Sequence, residues 1–282
     1  MVFSIVVLYK PDQDVLDRLT NLSQASDHLI VVLNQKDLFG KSKLNISNAE
    51  LIILGENIGL AKAINIGIRK CFEFGECTHI AIFDQDSKLC NNDSIREIVE
   101  LFKIDKSGMV AVIGHSTIDI KSKELVIIKD DSIIELEDNL TSGSVIPVSV
   151  FKKIGLMDEH LFIDYIDFEW CLRARNHGYK ILASNNHYLN HNLGDSFVNL
   201  FGIKKPVHLS TIRKFYIIRN SLILLNRSYV PFNWKIRHFF KLSYRIFGYL
   251  VFSKNKWDTL MAIFHAFFDF FANKALYKNY TF

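Results

Sequence analysis

The stretch Thr78-His79-Ile80-Ala81-Ile82-Phe83-Asp84-Gln85-Asp86-Ser87 decides the fold of this 282-residue chain. An apolar run of strand-forming residues ends abruptly at two acids, Asp84 and Asp86, which are separated by one residue. A short run that is apolar on both faces is typical of a central strand in a sheet covered by helices. The end of such a strand brings both carboxylates to the carboxyl edge of the sheet, where open α/β folds bind their ligands.

Two oxygen acids at this spacing predict a specific chemistry. Asp84 and Asp86, on chain that leaves a strand, are placed to hold a hard divalent cation while the cation bridges phosphates. The alternative is an ordinary solvated turn, because Asp and Ser are common turn residues. The pair alone does not decide between these interpretations, so the rest of the chain must.

The elements around this stretch alternate between strand and helix. Strands are predicted at Val2–Leu8, His28–Leu33, Leu51–Leu54, Thr78–Phe83, Met109–Ile113, Glu124–Lys129, Ser132–Leu136 and Ser144–Val148. Helices are predicted from Pro11 onward, over Ile58–Phe74, over Ser94–Phe102 and from Asp167 to about His177. This alternation predicts an α/β fold with a mixed, mainly parallel sheet flanked by helices.

Length and composition limit the possible classes of protein. A chain that is 49% hydrophobic can bury one large core, with or without a small appendage. Its four cysteines have neither metal-ligand spacing nor the density of a disulfide scaffold, which favours a reducing compartment. The apolar start, Met1–Leu8, lacks a basic region and is predicted to be a strand, not a signal peptide. The chain has neither a dinucleotide-binding Gly-x-Gly-x-x-Gly run after a strand nor a Gly-x-x-x-x-Gly-Lys run.

Charge divides the chain near residue 200. Residues 1–200 hold 20 Lys/Arg and 28 Asp/Glu, whereas residues 201–282 hold 14 Lys/Arg and two acids, for net charges of −8 and +12. The second part also contains 21 of the 36 aromatic residues. We therefore predict a domain over 1–200 and a basic, aromatic-rich helical region over 201–282, suited to an anionic surface.

Two glycine-containing segments are candidates for close approach to a ligand. In the segment from Asn57 to Gly67, small residues on one helix face permit close approach to a strand or a ligand, and Asn57 is a candidate helix cap. Plain helix packing is the alternative. Ser142-Gly143-Ser144, ahead of a strand, allows backbone to approach a substrate, but it is also ordinary loop chemistry.

A third segment combines acids with aromatic residues. Asp164, Asp167 and Glu169 lie within Leu161–Arg173, near the start of a predicted helix, where the helix dipole favours carboxylates. Capping alone would explain such acids. The neighbouring aromatic side chains, however, predict partial desolvation, which suits a carboxylate to proton transfer. Further along, His187 and His191 are each candidates to reach a metal held by the strand-end acids.

The order of these motifs resembles one known family. The matching segments are Val6–Pro11, Asn57–Ala61 with Asn65–Gly67, Phe83–Ser87, Ser142–Ser144, Asp164–Arg173 and His191–Gly194. Together they resemble family-2 glycosyltransferases of GT-A fold, and within these the bacterial rhamnosyltransferases that build surface polysaccharides. The segment Arg213–Asn220 is also similar to an Arg-x-Tyr-Tyr-x-x-Arg-Asn segment of that family.

The resemblance implies a role for each matching residue. Asp84 and Asp86 would be the Asp-x-Asp ligands of Mg²⁺ or Mn²⁺ on the donor diphosphate, with His191 as a further ligand. Asp167 would be the general base, and Glu169 would help to place the acceptor or the base. The residues implied to contact the nucleotide sugar are Tyr9, Pro11, Asn34, Asn57, Gly59, Ala61, Asp84 and Gln85. Those implied near the donor or acceptor sugar are Ser142, Gly143, Asp164 and Trp170.

One position departs from the family's pattern. The family usually has Val-Asp-Asn after its second strand, and the Asp contacts the nucleobase. Here the run is Val32-Leu33-Asn34, so Leu33 stands where that Asp is expected. Base recognition is therefore expected to use Asn34 or another group, and the donor nucleotide stays open between dTDP and UDP.

The basic tail suggests where the protein acts. Arg237, Lys241 and Arg245 recur every four residues, and neither of the apolar segments around them reaches the ~20 residues of a spanning helix. Helices lying on an anionic membrane are expected, with packing onto the first domain as the alternative. Nucleic acid has no supporting motif. The resemblance implies a lipid-linked glycan acceptor and a cytoplasmic position, peripheral on the inner face of the plasma membrane.

The sequence thus predicts an inverting, metal-dependent glycosyltransferase that moves L-rhamnose from dTDP-L-rhamnose onto a growing surface polysaccharide. A galactofuranosyl- or hexosyltransferase that uses a UDP-sugar is the alternative within the class. A nucleotidyltransferase is disfavoured because Tyr9-Lys10-Pro11-Asp12 is not a glycine-rich phosphate loop. A non-enzymatic membrane-binding protein is the remaining alternative.

Overall fold

A nine-stranded mixed sheet forms the centre of the protein. The computed structural model describes residues 1–36, 45–105, 107–119, 132–191, 196–200, 203–207 and 210–273. The strands of the sheet are β1 (Val2–Leu8), β2 (His28–Leu33), β3 (Ala49–Ile53), β4 (His79–Asp84), β5 (Lys88–Leu89), β6 (Val110–Asp119), β7 (Ile133–Leu136), β8 (Ser144–Pro147) and β9 (Lys180–His191). A separate hairpin consists of β10 (Ser196–Leu200) and β11 (Ile203–Val207).

The strand order is β3-β2-β1-β4-β8-β6-β9-β5, and β7 pairs with β9. The first four strands of this order are parallel to one another. β8 is antiparallel to both of its neighbours, β4 and β6, and β9 is parallel to β6. The predicted mixed, mainly parallel sheet is therefore confirmed. The predicted strand at Glu124–Lys129 lies outside the described residues.

Eight helices belong to the described part of the chain. They are α1 (Val15–Ala25), α2 (Leu60–Glu73), α3 (Ser94–Ile104), α4 (Val148–Ile154), α5 (Ile166–Asn176), α6 (Thr211–Asn226), α7 (Phe232–Phe252) and α8 (Lys256–Ala272). The prediction that Pro11 opens the first helix is wrong, because α1 begins four residues later at Val15. The intervening residues instead turn the chain away from the end of β1, and they include Asp12, whose carboxylate binds Arg18.

Two apolar layers bury the sheet. Every residue of β1 is buried, because α2 covers one face of the sheet and α1 and α3 cover the other. Gly67 lies where α2 meets β1, and a Cβ atom there would approach Ile5 Cγ2 to 2.7 Å. The small residue therefore permits the close helix–strand packing that the sequence suggested, and it holds α2 against the strands that carry the site.

The basic, aromatic part of the chain packs onto the rest. Ile217, Ile223 and Leu224 of α6 are buried in the same apolar cluster as Ile5 and Ile64. The compositional boundary near residue 200 thus does not divide this cluster. Inner faces of α6, α7 and α8 meet at a smaller cluster of their own. Within the described residues, no helix has both the length and the apolar character needed to cross a membrane.

Candidate active site

Three neighbouring parallel strands end together at one edge of the sheet. β1, β2 and β4 end at Leu8, Leu33 and Asp84, and their registers place these ends side by side. The residues that directly follow the three strands are Tyr9, Asn34 and Gln85. Parallel strands deliver their following loops to the same edge, so residues predicted separately for nucleotide contact are brought together here.

Tyr9 and Gln85 are held to each other. The backbone N–H of Tyr9 donates to Gln85 Oε1 at 2.8 Å, and Gln85 Nε2 donates to the Tyr9 carbonyl at 3.0 Å. Arg18 Nε donates to the Gln85 carbonyl at 2.6 Å. The Tyr9 ring is 41% exposed at this edge, next to the half-buried Pro11. Contact of these residues with a nucleotide stays a prediction, and the geometry is compatible with it.

Asn34 and Asn57 link the end of β2 to the start of α2. Asn34 Nδ2 donates to Asn57 Oδ1 at 3.1 Å, and the Ile58 N–H donates to Asn34 Oδ1 at 2.9 Å. Asn57 therefore bridges two segments, and Gly59 occupies the cap position of α2 instead. Leu33 is fully buried in the core, so it offers nothing to a base. Asn34, which directly follows Leu33, is the polar side chain nearest to that position along the chain, although it is only 3% exposed.

Gly59 and Ala61 meet the segment that precedes α5. Gly59 has φ 91°, and a Cβ atom there would lie 2.6 Å from the Phe162 ring. The N–H groups of Leu60 and Ala61 donate to the Phe162 carbonyl at 2.6 and 3.3 Å. The glycine is therefore required both by its backbone angle and by the neighbouring ring. This contact joins the nucleotide side of the edge to the segment that carries the predicted base.

Asp84, Asp86 and His191 form a group able to hold a metal ion. One potential ligand atom of each residue lies within 4.8 Å of the others. His191 Nε2 is 3.7 Å from Asp84 Oδ2, and His191 Nδ1 is 3.1 Å from Asp86 Oδ1. Neighbouring ligands on an octahedral Mg²⁺ with bonds of about 2.1 Å stand roughly 3 Å apart, so small side-chain adjustments suffice. Carboxylate and imidazole ligands also suit Mn²⁺.

The charges of this group favour a cation. Burial raises the pKa of Asp84, the neighbouring Asp86 carboxylate adds to the increase, and His191 opposes it. Two carboxylates at such close range repel each other when both are ionised, and a divalent ion relieves that repulsion. The donor set therefore fits Mg²⁺ or Mn²⁺ in both chemistry and charge.

Two serine hydroxyl groups form hydrogen bonds with the group of Asp84, Asp86 and His191 or with its backbone. Ser87 Oγ lies 3.1 Å from His191 Nδ1 and 2.6 Å from Ser142 Oγ, and the N–H of Asp84 donates to Ser142 Oγ at 3.2 Å. Ser142 is buried, and Gly143, at φ 82°, accepts a hydrogen bond from the ring of His115 at 2.7 Å through its carbonyl. These contacts shape the strand ends, while direct contact of Ser142 and Gly143 with a sugar stays a prediction.

Asp167 lies near the start of α5 and lines a small cavity. Burial raises the pKa of Asp167 to about 7, the carboxylates of Asp138, Asp84 and Asp164 each raise it, and the N–H of Phe168 opposes this by donating at 2.9 Å. Because Asp84 belongs to the metal-type group, its electrostatic effect on Asp167 indicates that the two groups are close in space. A carboxyl group that titrates near neutrality suits general-base chemistry.

Glu169 has a different environment from the one expected of an acceptor-binding residue. Its carboxylate is fully buried and binds Arg173 at 2.8 and 2.9 Å, while the Tyr229 hydroxyl donates to it at 2.5 Å. Because these partners enclose both oxygens, the geometry does not support direct contact with an acceptor. The ion pair instead fixes the first turns of α5, which agrees with the other predicted role, placing the base.

Trp170 and Asp164 are two further predicted site residues near Asp167. Trp170 is 2% exposed, donates from Nε1 to the Gly155 carbonyl at 3.0 Å, and lines a small cavity together with Asp167. Asp164 forms an ion pair with Arg213 of α6 at 2.5 Å. Trp170 therefore belongs to the apolar core beside this cavity, and the predicted sugar contacts of both residues stay predictions.

Sequence reasoning missed Asp138 and assigned no role to Arg213. Burial raises the pKa of Asp138, which in turn affects Asp167, while Lys241 of α7 opposes the shift. No local pattern marks Asp138, because it lies in an irregular segment after β7. The Arg213–Asn220 segment was noticed only as a resemblance. Its contacts with the residues before α5 require the tertiary structure.

Comparisons with known proteins indicate the class of this chain. No family model matches the chain. The dTDP-rhamnosyl transferase RfbF of Shigella flexneri is 34% identical over 251 residues, covering 84% of this chain and 83% of the relative. The low-salt glycan biosynthesis hexosyltransferase Agl10 of Haloferax volcanii is 22% identical over 193 residues, covering 63% of this chain and 62% of that protein.

Solved structures share the fold at low sequence identity. GalNAc-T7, crystallised with UDP, GalNAc and Mn²⁺, matches 77% of this chain with a TM-score of 0.54 and 14% identity. TarS of S. aureus matches 90% of this chain with a TM-score of 0.54 and 14% identity. The matches cover 47% and 44% of those chains, so the matched part of this chain spans less than half the length of either.

The similarity to RfbF and the fold shared with the solved structures together identify a glycosyltransferase of GT-A fold. At 34% identity across most of both chains, the protein belongs to the rhamnosyltransferase-like glycosyltransferase family.

Proposed function

We propose that this protein transfers L-rhamnose from dTDP-L-rhamnose, with inversion, onto a growing or lipid-linked surface polysaccharide. The proposal is supported by the 34% identity of the chain to a dTDP-rhamnosyl transferase, together with the Asp84/Asp86/His191 group and the electrostatic effect of Asp84 on Asp167. A hexosyl or galactofuranosyl transfer from a UDP-sugar is the second candidate. Leu33 stands where an Asp is expected to contact the base, which leaves the base preference open, and the hexosyltransferase Agl10 is 22% identical over 193 residues.

The proposed reaction needs two separate roles, stabilisation of the leaving group and acceptance of a proton. A cation held by Asp84, Asp86 and His191 supplies charge stabilisation to the departing diphosphate. The Asp167 carboxylate accepts the proton of the acceptor hydroxyl. The freed oxygen forms a bond to the anomeric carbon while the bond from that carbon to the diphosphate oxygen breaks. Attack from the face opposite the leaving group inverts the configuration.

The proposed donor is tested by nucleotide titration. We expect dTDP to bind more tightly than UDP, and Mn²⁺ to tighten binding of the preferred nucleotide, because Asp84, Asp86 and His191 would hold a cation that offsets the negative charge of the diphosphate. Isothermal titration calorimetry with each nucleotide, with and without Mn²⁺, measures both effects. Donor-hydrolysis assays with dTDP-L-rhamnose and with UDP-sugars follow. Tighter binding of UDP, together with turnover of a UDP-sugar alone, would select the second candidate.

We also propose that the protein docks on the inner face of the plasma membrane through α7 and α8. Many large apolar side chains on these helices point outward. Among them are Phe240, Phe247, Trp257, Phe264, Phe268 and Phe271, which are 61–70% exposed. An exposed apolar surface of this extent, rich in aromatic residues, is typical of a helix that lies in a membrane interface.

The basic stripe of α7 contributes less to such docking than the sequence suggested. Arg237 binds Glu137 at 2.6 and 2.8 Å, and Arg245 donates to the Tyr165 hydroxyl at 2.9 Å. Lys241 interacts electrostatically with Asp138. The three side chains of the stripe thus have partners elsewhere on the chain, and contact of the stripe with lipid headgroups stays a prediction. We therefore propose insertion of these apolar side chains as the main source of membrane affinity.

Vesicle binding tests the membrane proposal. We expect the double substitution Phe264→Ser/Phe268→Ser to weaken binding to phosphatidylcholine/phosphatidylglycerol vesicles on the order of 10²-fold, because burying each ring contributes roughly 1.5–3 kcal/mol. Sedimentation with vesicles measures the change. Ile104→Ser, at a side chain 72% exposed on α3, is the matched control and keeps full binding. If the wild type does not bind vesicles and elutes as a dimer in size-exclusion chromatography, the exposed apolar face of α7 and α8 binds a second copy of the chain instead.

A further inference from the structure

The four residues ahead of α5 have an unusual backbone. Phe162, Asp164 and Tyr165 have φ values of 62°, 64° and 65°, in the region that L side chains rarely adopt. None of them is a glycine, and two are bulky aromatics. Such a conformation persists only when the surrounding structure holds it in place. The segment ends where α5 begins, two residues before Asp167.

A single buried side chain binds this segment at several points. Asn220 of α6 is fully buried, and its Nδ2 lies 2.9, 2.8 and 2.8 Å from the carbonyl oxygens of Leu161, Ile163 and Asp164. An amide has only two hydrogens, so the three carbonyls share them. Its own Oδ1 accepts from Arg219 Nε at 3.0 Å, which fixes the orientation of the amide.

Neighbouring contacts from α6 act on the same segment. The guanidinium group of Arg219 donates to the His160 carbonyl and lies 4.9 Å from the Tyr216 ring centroid. The Tyr216 ring stacks on Phe162 at 4.9 Å with an interplanar angle of 7°. Arg219 thus binds the backbone just before the segment, and Tyr216 packs on one of its side chains. Asn220 binds the backbone carbonyls within the stretch that has positive φ angles.

The segment connects the two working parts of the site. The Phe162 carbonyl accepts from Leu60 and Ala61 at the start of α2, on the nucleotide side. The Tyr165 carbonyl accepts from Glu169 in the first turn of α5 at 2.9 Å. A shift of this backbone would therefore move the base relative to the donor, even though no residue that touches substrate had changed.

We propose that Asn220 is a positioning residue, whose side-chain amide holds the backbone of residues 161–164 so that Asp167 meets the acceptor hydroxyl in line with the donor sugar. The inference rests on the proposed transfer with Asp167 as base, and it adds a residue on a helix that lies outside the strand-end site. Asn220 is fully buried and does not touch the cleft. Its effect on catalysis is exerted through the segment and the start of α5.

The test compares Asn220→Ala and the milder Asn220→Ser with Asn226→Ala. Asn226 lies at the end of the same helix, and its Nδ2 is buried without a hydrogen-bond partner among the described residues. Binding-competent protein is counted by titration with dTDP and Mn²⁺, and kcat for transfer is expressed per competent site. This normalisation matters because a merely structural loss lowers the number of competent sites, whereas a misplaced base lowers kcat at each site.

We expect Asn220→Ala to lower kcat per competent site on the order of 10²-fold, since a misplacement of about 1 Å at a reacting group has that effect. The donor KM should change by less than about threefold, and Asn226→Ala should match the wild type. Unchanged kcat per site in both Asn220 variants, or loss of all nucleotide binding in both, would overturn the proposal. Failure of the wild type to transfer, or full activity of Asp167→Asn, would instead refute the proposed function itself.

Discussion

Replacing Asp167 by Asn is expected to lower turnover 10²- to 10⁴-fold, the contribution typical of a general base. The change preserves the size of the side chain and removes only its capacity to accept the acceptor's proton. Donor binding should stay within about twofold of the wild type, because the cation and diphosphate contacts come from Asp84, Asp86 and His191. Transfer kinetics and nucleotide titration on the same preparation measure the two quantities separately.

A matched control removes a carboxylate elsewhere. Asp93, exposed at the start of α3, is replaced by Asn, which preserves any capping. This variant should retain wild-type kinetics. Loss of donor affinity and turnover in equal proportion in Asp167→Asn would contradict the assignment, because it would place Asp167 among the donor-binding groups.

The pH dependence provides an independent signature of the same residue. Because burial raises the pKa of Asp167 to about 7, kcat should increase as pH rises through that value and the carboxyl loses its proton. Stability should show the opposite sign. The folded state favours the protonated form, so the contribution of Asp167 to stability is present at low pH and is lost as pH rises through about 7. Asp167→Asn should therefore melt higher than the wild type at about pH 8, and this difference should shrink towards pH 5.

Removing both strand-end acids, as Asp84→Asn/Asp86→Asn, is the second change with a large expected effect. Turnover should decrease on the order of 10²-fold or more, because a cation beside the departing diphosphate contributes several kcal/mol to stabilisation of the transition state. Mn²⁺ should no longer tighten nucleotide binding, since the remaining ligand, His191, cannot hold the ion alone. Calorimetric titration of the nucleotide with and without Mn²⁺ separates this loss from a general weakening of binding.

A histidine on the same strand provides the control for the metal site. His187 Nε2 contacts Glu97 at 2.9 Å and its Nδ1 lies 2.6 Å from Ser184 Oγ, so it belongs to a different cluster from His191. We expect His187→Asn to keep the Mn²⁺ effect and His191→Asn to reduce it. If the double acid variant retained full Mn²⁺-dependent binding, the cation would have to lie elsewhere.

The sequence by itself determined the sheet edge. Apolar runs at Val2–Leu8 and His28–Leu33 are strands with the predicted bounds, and the run that ends in Asp84 extends one residue past its predicted end. Local pattern suffices for this, because a strand buried on both faces needs a continuous apolar run, whatever it packs against. The strand-end position of the two acids follows directly from where such a run stops.

Contacts between side chains that are far apart in the sequence became visible only in the tertiary structure. β9 brings His191 back to Asp84, across more than 100 residues, through its pairing with β5 and β6. The same folding encloses Glu169 and pairs Arg237 with Glu137 at the surface, 100 residues away along the chain. The local sequence does not show whether an ionisable side chain is buried or exposed, because its burial and its partner depend on other elements of the fold.

The left-handed segment before α5 illustrates the same division. Its acids and aromatic residues were visible in the sequence, but nothing local predicts positive φ at Phe162 and Tyr165, where glycine would be the expected residue. The conformation exists because α6, some 50 residues later, supplies the amide of Asn220. The sequence therefore determined which residues reach the site, and the tertiary structure decided how each is charged, buried and held, since those properties belong to contacts between elements.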